Sequence, residues 1–147
     1  MRNVLVSWIG GNDLDASEKS ADTLGPLLST LKARQFSSVY LLYNYPVARV
    51  KPYLHWLTRQ VNADIIASHH VLESPIHFAG IYQASLQLLQ DVWQKHSADN
   101  VTILLSPGTP AMQAVWILLG KTRYPVSFLQ SSREAGVQDA EIPFDIT

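Results

Sequence analysis

Apolar residues along this chain follow two alternating rhythms. Five short runs, NVLVSWI (3–9), SVYLLY (38–43), DIIASHH (64–70), NVTILL (100–105) and PVSFLQS (125–131), are rich in Val, Leu and Ile and bounded by Gly, Pro, Asn or Asp. Runs of this kind predict strands, the more continuous ones buried on both faces. Between them apolar residues recur at spacings of three and four: Leu27, Leu28 and Leu31; Val47, Val50, Leu54, Leu57 and Val61; Ile81, Leu88, Leu89 and Val92; and the segment 110–122. That spacing predicts helices. Pro26 and Pro110 suit first helical positions and Pro75 stands just before a helix start, whereas Pro52 interrupts its helix and predicts an irregular or kinked first turn. The tail GVQDAEIPFDI (136–146) predicts a short sixth strand, with Pro143 marking an edge or an end.

Strand and helix in strict alternation imply parallel strands joined by right-handed crossovers. The fold class expected is α/β: Rossmann-like, a mainly parallel sheet of about six strands with helices on both faces. No internal repeat or linker divides residues 1–147, so one domain is expected, and the ending PFDIT, with no polar tail, fits a piece of a larger parent protein. After the first strand the periodicity lapses until Gly25-Pro26, which predicts a polar loop of about 15 residues, a length more often functional than accidental.

Composition narrows the chemistry. With 47% hydrophobic residues in 147 the chain can bury a substantial core, and it has no cysteine, which excludes disulfides, thiolate zinc sites and thiol nucleophiles. Eleven basic residues against twelve acidic ones give a net charge of −1, which argues against a broad surface for long DNA or RNA but leaves room for a short nucleotide in a cavity. No stretch approaches the roughly 20 apolar residues that span a bilayer, so no membrane partner and a cytoplasmic location are expected.

In open parallel sheets ligands bind beyond the carboxyl ends of the strands, which here points to residues 10–17, 44–46 (with Asn44), 69–77 and 106–109. In SPGTP, Gly108 permits close backbone approach, Ser106 and Thr109 offer hydroxyls, and the amides at the following helix start attract anions. That is the chemistry of a phosphate or nucleotide cradle; Thr109-Pro110 is equally an ordinary N-cap with proline at the first helical position. GGND (Gly10 to Asp13) has neither dinucleotide-site nor P-loop spacing and also reads as a plain turn. His69, His70 and His77 have no carboxylate at a familiar ligand spacing, and no serine stands in a G-x-S-x-G elbow. No metal, cofactor or catalytic residue is assigned. Trp93 and Trp116 belong to apolar helical faces.

The block LLSPGTPAMQAVWILLGKTRYPVSFLQSS, followed by EIPFDI, with GGND, the GP at 25–26 and LLYNYP, resembles the CARF (CRISPR-associated Rossmann fold) domains over nearly the whole chain. The likeness is greatest to the type found N-terminal to transcription activators that work with the alternative sigma factor, such as regulators of RNA-repair operons. The resemblance implies a homodimer that binds a cyclic oligoadenylate, or a related RNA end, across its twofold axis and controls a fused effector outside this chain. It places ligand contacts on Ser106, Pro107, Gly108, Thr109 and Met112 and on Gly10, Gly11, Asn12 and Asp13. Some CARF domains also cleave the ligand as metal-independent ring nucleases, and that enzymatic alternative stays open.

Overall fold

The computed structural model describes residues 1–19 and 23–144. Its elements run β1 (Asn3–Trp8), α1 (Gly11–Glu18), α2 (Gly25–Ala33), β2 (Ser38–Tyr43), α3 (Val47–Thr58), β3 (Asp64–His69), α4 (Phe78–Lys95), β4 (Asn100–Leu104), α5 (Pro110–Thr122), β5 (Ser127–Ser132) and β6 (Gly136–Asp139). They build one six-stranded sheet in the order β3-β2-β1-β4-β5-β6. All neighbours pair in parallel except β6, which folds back antiparallel on β5 with Ser132 opposite Gly136. The Rossmann-like α/β class expected from the sequence is the one observed.

Alternation along β1 sorts its side chains between two cores. Val4, Val6 and Trp8 join Tyr40 and Leu42 beneath α4 and α5, where Ile81, Leu88, Val115, Trp116 and Leu119 are buried. Leu5 and Ile9 join Val39 and Leu41 beneath α2 and α3, against Leu27, Leu28, Val50, Tyr53 and Leu57. Each fully buried aliphatic side chain contributes roughly 1.5–3 kcal/mol relative to exposure, so the central strand is held from both faces.

Three sequence expectations are corrected. Residues 11–18, expected to be loop, form α1. Asp13 explains why: it is fully buried, its Oδ2 accepts the Gly10 N–H at 2.9 Å and its Oδ1 accepts the Leu27 N–H at 2.9 Å. One carboxylate thus caps α1 and the start of α2 together, while Leu14 and Ala16 bury against the sheet. Gly25, at φ 79°, makes the turn, and a Cβ there would lie 3.0 Å from the Asp13 Cα. Second, α3 runs from Val47 through Pro52 to Thr58, so proline removes one N–H without ending the helix. Third, strict alternation fails at both ends: α1 and α2 follow one another between β1 and β2, and β6 is antiparallel. Residues 20–22 of the expected loop and 145–146 of the expected tail strand lie outside the described residues.

Candidate functional site

In this strand order the chain leaves β1 toward β2 and β3, then crosses back to place β4 on the other flank of β1. The loops after β1 and β4 therefore diverge in opposite directions from adjacent strands, which is where such sheets open a crevice. Here the crevice floor is a backbone contact. A Cβ built on Gly10 would lie 2.6 Å from the Gly108 N and 3.3 Å from the Pro107 Cα. Gly108 adopts φ 92°, with the Trp8 Cβ 3.5 Å and the Met112 Sδ 2.6 Å from where its own Cβ would stand.

The contact brings two helix N-termini side by side. At α5, Thr109 is the N-cap: its Oγ1 accepts the Met112 N–H at 3.3 Å, and the Met112 Sδ accepts the Thr109 N–H at 3.4 Å. At α1, Gly10 is the N-cap and its N–H is taken by Asp13. The N–H groups of Gly11, Asn12 and Ala111 have no acceptor within their helices, and both dipoles present their positive ends to the crevice. Oxygen-rich anions are the ligands this arrangement favours.

Beside it lies a cavity of about 170 Å³, lined by Gly11, Gly108, Thr109 and Met112 together with Asn44, Tyr45, Pro75 and Ile9. Its volume is below the roughly 300 Å³ at which drug-sized sites begin, so it accommodates one ring system rather than a whole oligonucleotide. Tyr45 is held as a wall by Arg49, whose guanidinium carbon sits 5.1 Å from the ring centroid. Arg49 is itself fixed by Glu18, at 3.0 Å to each carboxylate oxygen, and by Asp15 at 3.3 Å. The Glu18 carboxyl is lowered below its usual range by that hydrogen bond.

Of the residues singled out from sequence, Gly11, Asn44, Gly108, Thr109 and Met112 line the cavity, Gly10 and Pro107 form the backbone junction beneath it, and Asn12 is exposed at the start of α1. Asp13 and Ser106 have their oxygens engaged within the fold. The Ser106 Oγ accepts the Ser131 N–H and so links the ends of β4 and β5. Burial pushes the Asp13 carboxyl up to about 7, against the downward pull of the Leu27 and Gly10 N–H groups. Ile9 was missed, whereas Tyr45 and Pro75 fell within the expected loops 44–46 and 69–77 without being named. Tyr45 and Pro75 carried a signal, since both lie in loops at the carboxyl ends of strands.

The histidines do not converge: His69 stacks on Tyr43 with centroids 5.0 Å apart, and the His77 Nδ1 accepts the Gly80 N–H at 3.3 Å as the N-cap of α4. Among the described residues no three of His, Asp and Glu stand together as a metal site, and no helix is long and apolar enough to cross a membrane.

No family model and no curated protein matches this chain. Solved structures do. Csm6 from Enterococcus italicus, bound to cyclic hexa-2'-fluoro-hexa-dAMP, superposes with a TM-score of 0.76 at 20% identity, covering 94% of this chain and 35% of that one. Can2 from Sulfobacillus thermosulfidooxidans, in complex with cyclic tetra-adenylate, gives 0.64 at 13% identity, over 90% of this chain and 33% of that one. Protein VC1899 from Vibrio cholerae gives 0.67 at 11% identity, over 93% and 33%. The chain thus spans about a third of the length of these proteins, and what it shares with them is the fold.

Proposed function

We propose that this chain is a CARF-type sensor domain that binds a cyclic oligoadenylate, or a related RNA end, and passes its occupancy to an effector outside the chain. The observation that carries the reading is the Gly10–Gly108 junction, which sets two helix N-termini against a ring-sized cavity. Amides at the helix starts suit phosphates, and the cavity suits one base stacked on Tyr45. The ligands held by Csm6 and Can2 on the same fold support the choice of a cyclic oligonucleotide.

One cavity receives one ring of such a ligand, so a second copy of the domain supplies the remaining contacts. A homodimer with the ligand between two copies of the 106–112 loop satisfies this, because an isologous pair presents the same donors twice. The sequence resemblance makes the effector a transcription activator, with cytoplasmic location following from that role. Binding that favours one arrangement of the two protomers is then transmitted by population shift.

Titration calorimetry and sedimentation with cyclic tetra-adenylate and cyclic hexa-adenylate test the reading. Binding of one ligand per two chains, with a tightened dimer, is expected. One ligand per monomer, or no binding, refutes the shared site. Linear products accumulating without added metal identify the ring nuclease instead.

A further inference from the structure

The segment between β3 and α4, residues 70–77, borders the cavity and supplies Pro75 to its wall. His70 anchors its start, donating its N–H to the Tyr43 carbonyl at 2.9 Å, and beyond that it is tied at two further points by residues of the cavity itself. The Leu72 N–H donates to the Asn44 Oδ1 at 2.9 Å, and the Thr109 Oγ1 donates to the Pro75 carbonyl at 2.6 Å. We propose that this segment is a strap whose Pro75 end is released when a ligand oxygen claims the Thr109 hydroxyl. The ligand part of this inference rests on the function proposed above.

Hydrogen-bond inventory gives the strap its direction. A threonine hydroxyl has one proton, and here it is spent on Pro75 while the Met112 N–H occupies a lone pair. Thr109 therefore donates to a phosphate oxygen only by letting Pro75 go. Asn44 is not so limited, since its Oδ1 holds Leu72 while its amide hydrogens stay available to a ligand. Leu72 is also buried, and its Cδ2 lies 3.1 Å from where a Gly80 Cβ would be, so this end is a fixed hinge.

Around the latch the strap is closed on itself: the His77 N–H donates to the Ser74 carbonyl at 3.1 Å, and at the surface the Glu73 Oε2 meets the His77 Nε2 at 3.2 Å. His77 also caps α4 through Gly80. Release at Pro75 is thereby conveyed to the start of α4, where Ile76, just before the helix, and Phe78, its first residue, stand exposed at 64% and 59%. Occupancy of the cavity becomes a change at the protein surface.

The absence of cysteine allows a single nitroxide at Ile76→Cys to report strap mobility, with a second protein labelled at Ala114→Cys on the exposed side of α5 as reference. Thr109→Val removes the latch, and Thr109→Ser keeps it. Without ligand, Thr109→Val is expected to mobilise the Ile76 label and to speed amide exchange at Ile76 and His77, whose N–H groups bond to Ser74, about three- to tenfold, while the Ala114 label and the Thr109→Ser protein stay unchanged. An Ile76 label unmoved in a folded Thr109→Val protein, or both labels mobilised alike, overturns the strap. In protein with Thr109 intact, saturating cyclic tetra-adenylate is expected to mobilise the Ile76 label. Binding that leaves the label unchanged or more rigid overturns the coupling, whereas no binding together with a mobilised Thr109→Val strap removes the ligand assignment and leaves the latch standing.

Discussion

Gly10 and Gly108 meet backbone to backbone, close enough that a methyl group on the first would lie 2.6 Å from the amide nitrogen of the second. The loops after β1 and β4 are thus one structural unit, and its spacing is set by the absence of a side chain on Gly10.

Gly10→Ala is expected to force those loops apart, because the obstructing atoms are backbone. A loss of about 1–3 kcal/mol in denaturant stability is expected from the overpacking, with ligand affinity falling at least as far. Gly11→Ala is the contrast: its Cβ meets only the Tyr45 hydroxyl at 3.1 Å, the end of a side chain. Equal stability losses in the two variants would mean that the contact at Gly10 relaxes freely.

Gly108→Val places a β-branched residue at φ 92° with its Cβ 2.6 Å from the Met112 Sδ. The fold is expected to survive with a melting temperature lower by several degrees, and cyclic oligoadenylate binding to weaken about tenfold or more. Unchanged affinity in the folded variant removes the cradle.

Asp13 makes stability depend on pH. Its folded-state value of about 7 stands above the ordinary 3.8, so between these values the folded protein holds the proton more firmly than the unfolded chain. Stability therefore falls as pH rises from about 4 to about 7, and this contribution is level above that. Asp13→Asn, which keeps one acceptor, is expected to lower stability by about 1–2 kcal/mol at acid pH and to abolish the slope. Urea titrations at pH 4.5, 6 and 8 read both quantities, and an Asn variant with the slope intact would assign it to another group.

At the opposite end of the sheet the Tyr40 hydroxyl lies 2.8 Å from the His96 Nε2, and the His96 Nδ1 lies 2.8 Å from the Asp99 Oδ2. Tyr40 and His96 are both buried, so His96→Phe strands the tyrosine hydroxyl and is expected to cost about 1–3 kcal/mol for that group beyond any misfit. Adding Tyr40→Phe removes the stranded group and is expected to recover part of the loss. Strictly additive losses in a double-mutant cycle would show that the pair does not interact. The His96 hydrogen bond also lowers the Asp99 carboxyl below its usual value, so this clip is complete above the ordinary aspartate range and weakens as pH falls through it.

The strands were legible because those buried on both faces leave nearly continuous apolar runs, and α5 was bounded correctly because Thr109-Pro110 marks its start by local chemistry alone. Helix α1 was not. Its eight residues bury only Asp13, Leu14 and Ala16, and the group that secures it bonds to Leu27 on the next helix. A buried capping carboxylate reads in sequence as one more polar residue of a loop. The same limit applies at the site. Parallel topology pointed to the loops, including Gly108 and Asn44, but the Gly10–Gly108 contact and the tethering of Pro75 by Thr109 join residues far apart in the chain.

The pairing of β1 with β4 also orders events in time. Val4 pairs with Ser38 on one side and with Val101 on the other, so a nascent chain can assemble β1, β2 and β3 long before β4 has been synthesised. Until then the second flank of β1 is an open edge, able to recruit a foreign strand or a chaperone. Gly10 and Gly108 ride on these two strands. The Gly10–Gly108 junction can therefore form only after β4 and residue 108 have been made, and β1, β2 and β3 alone hold one of its two sides.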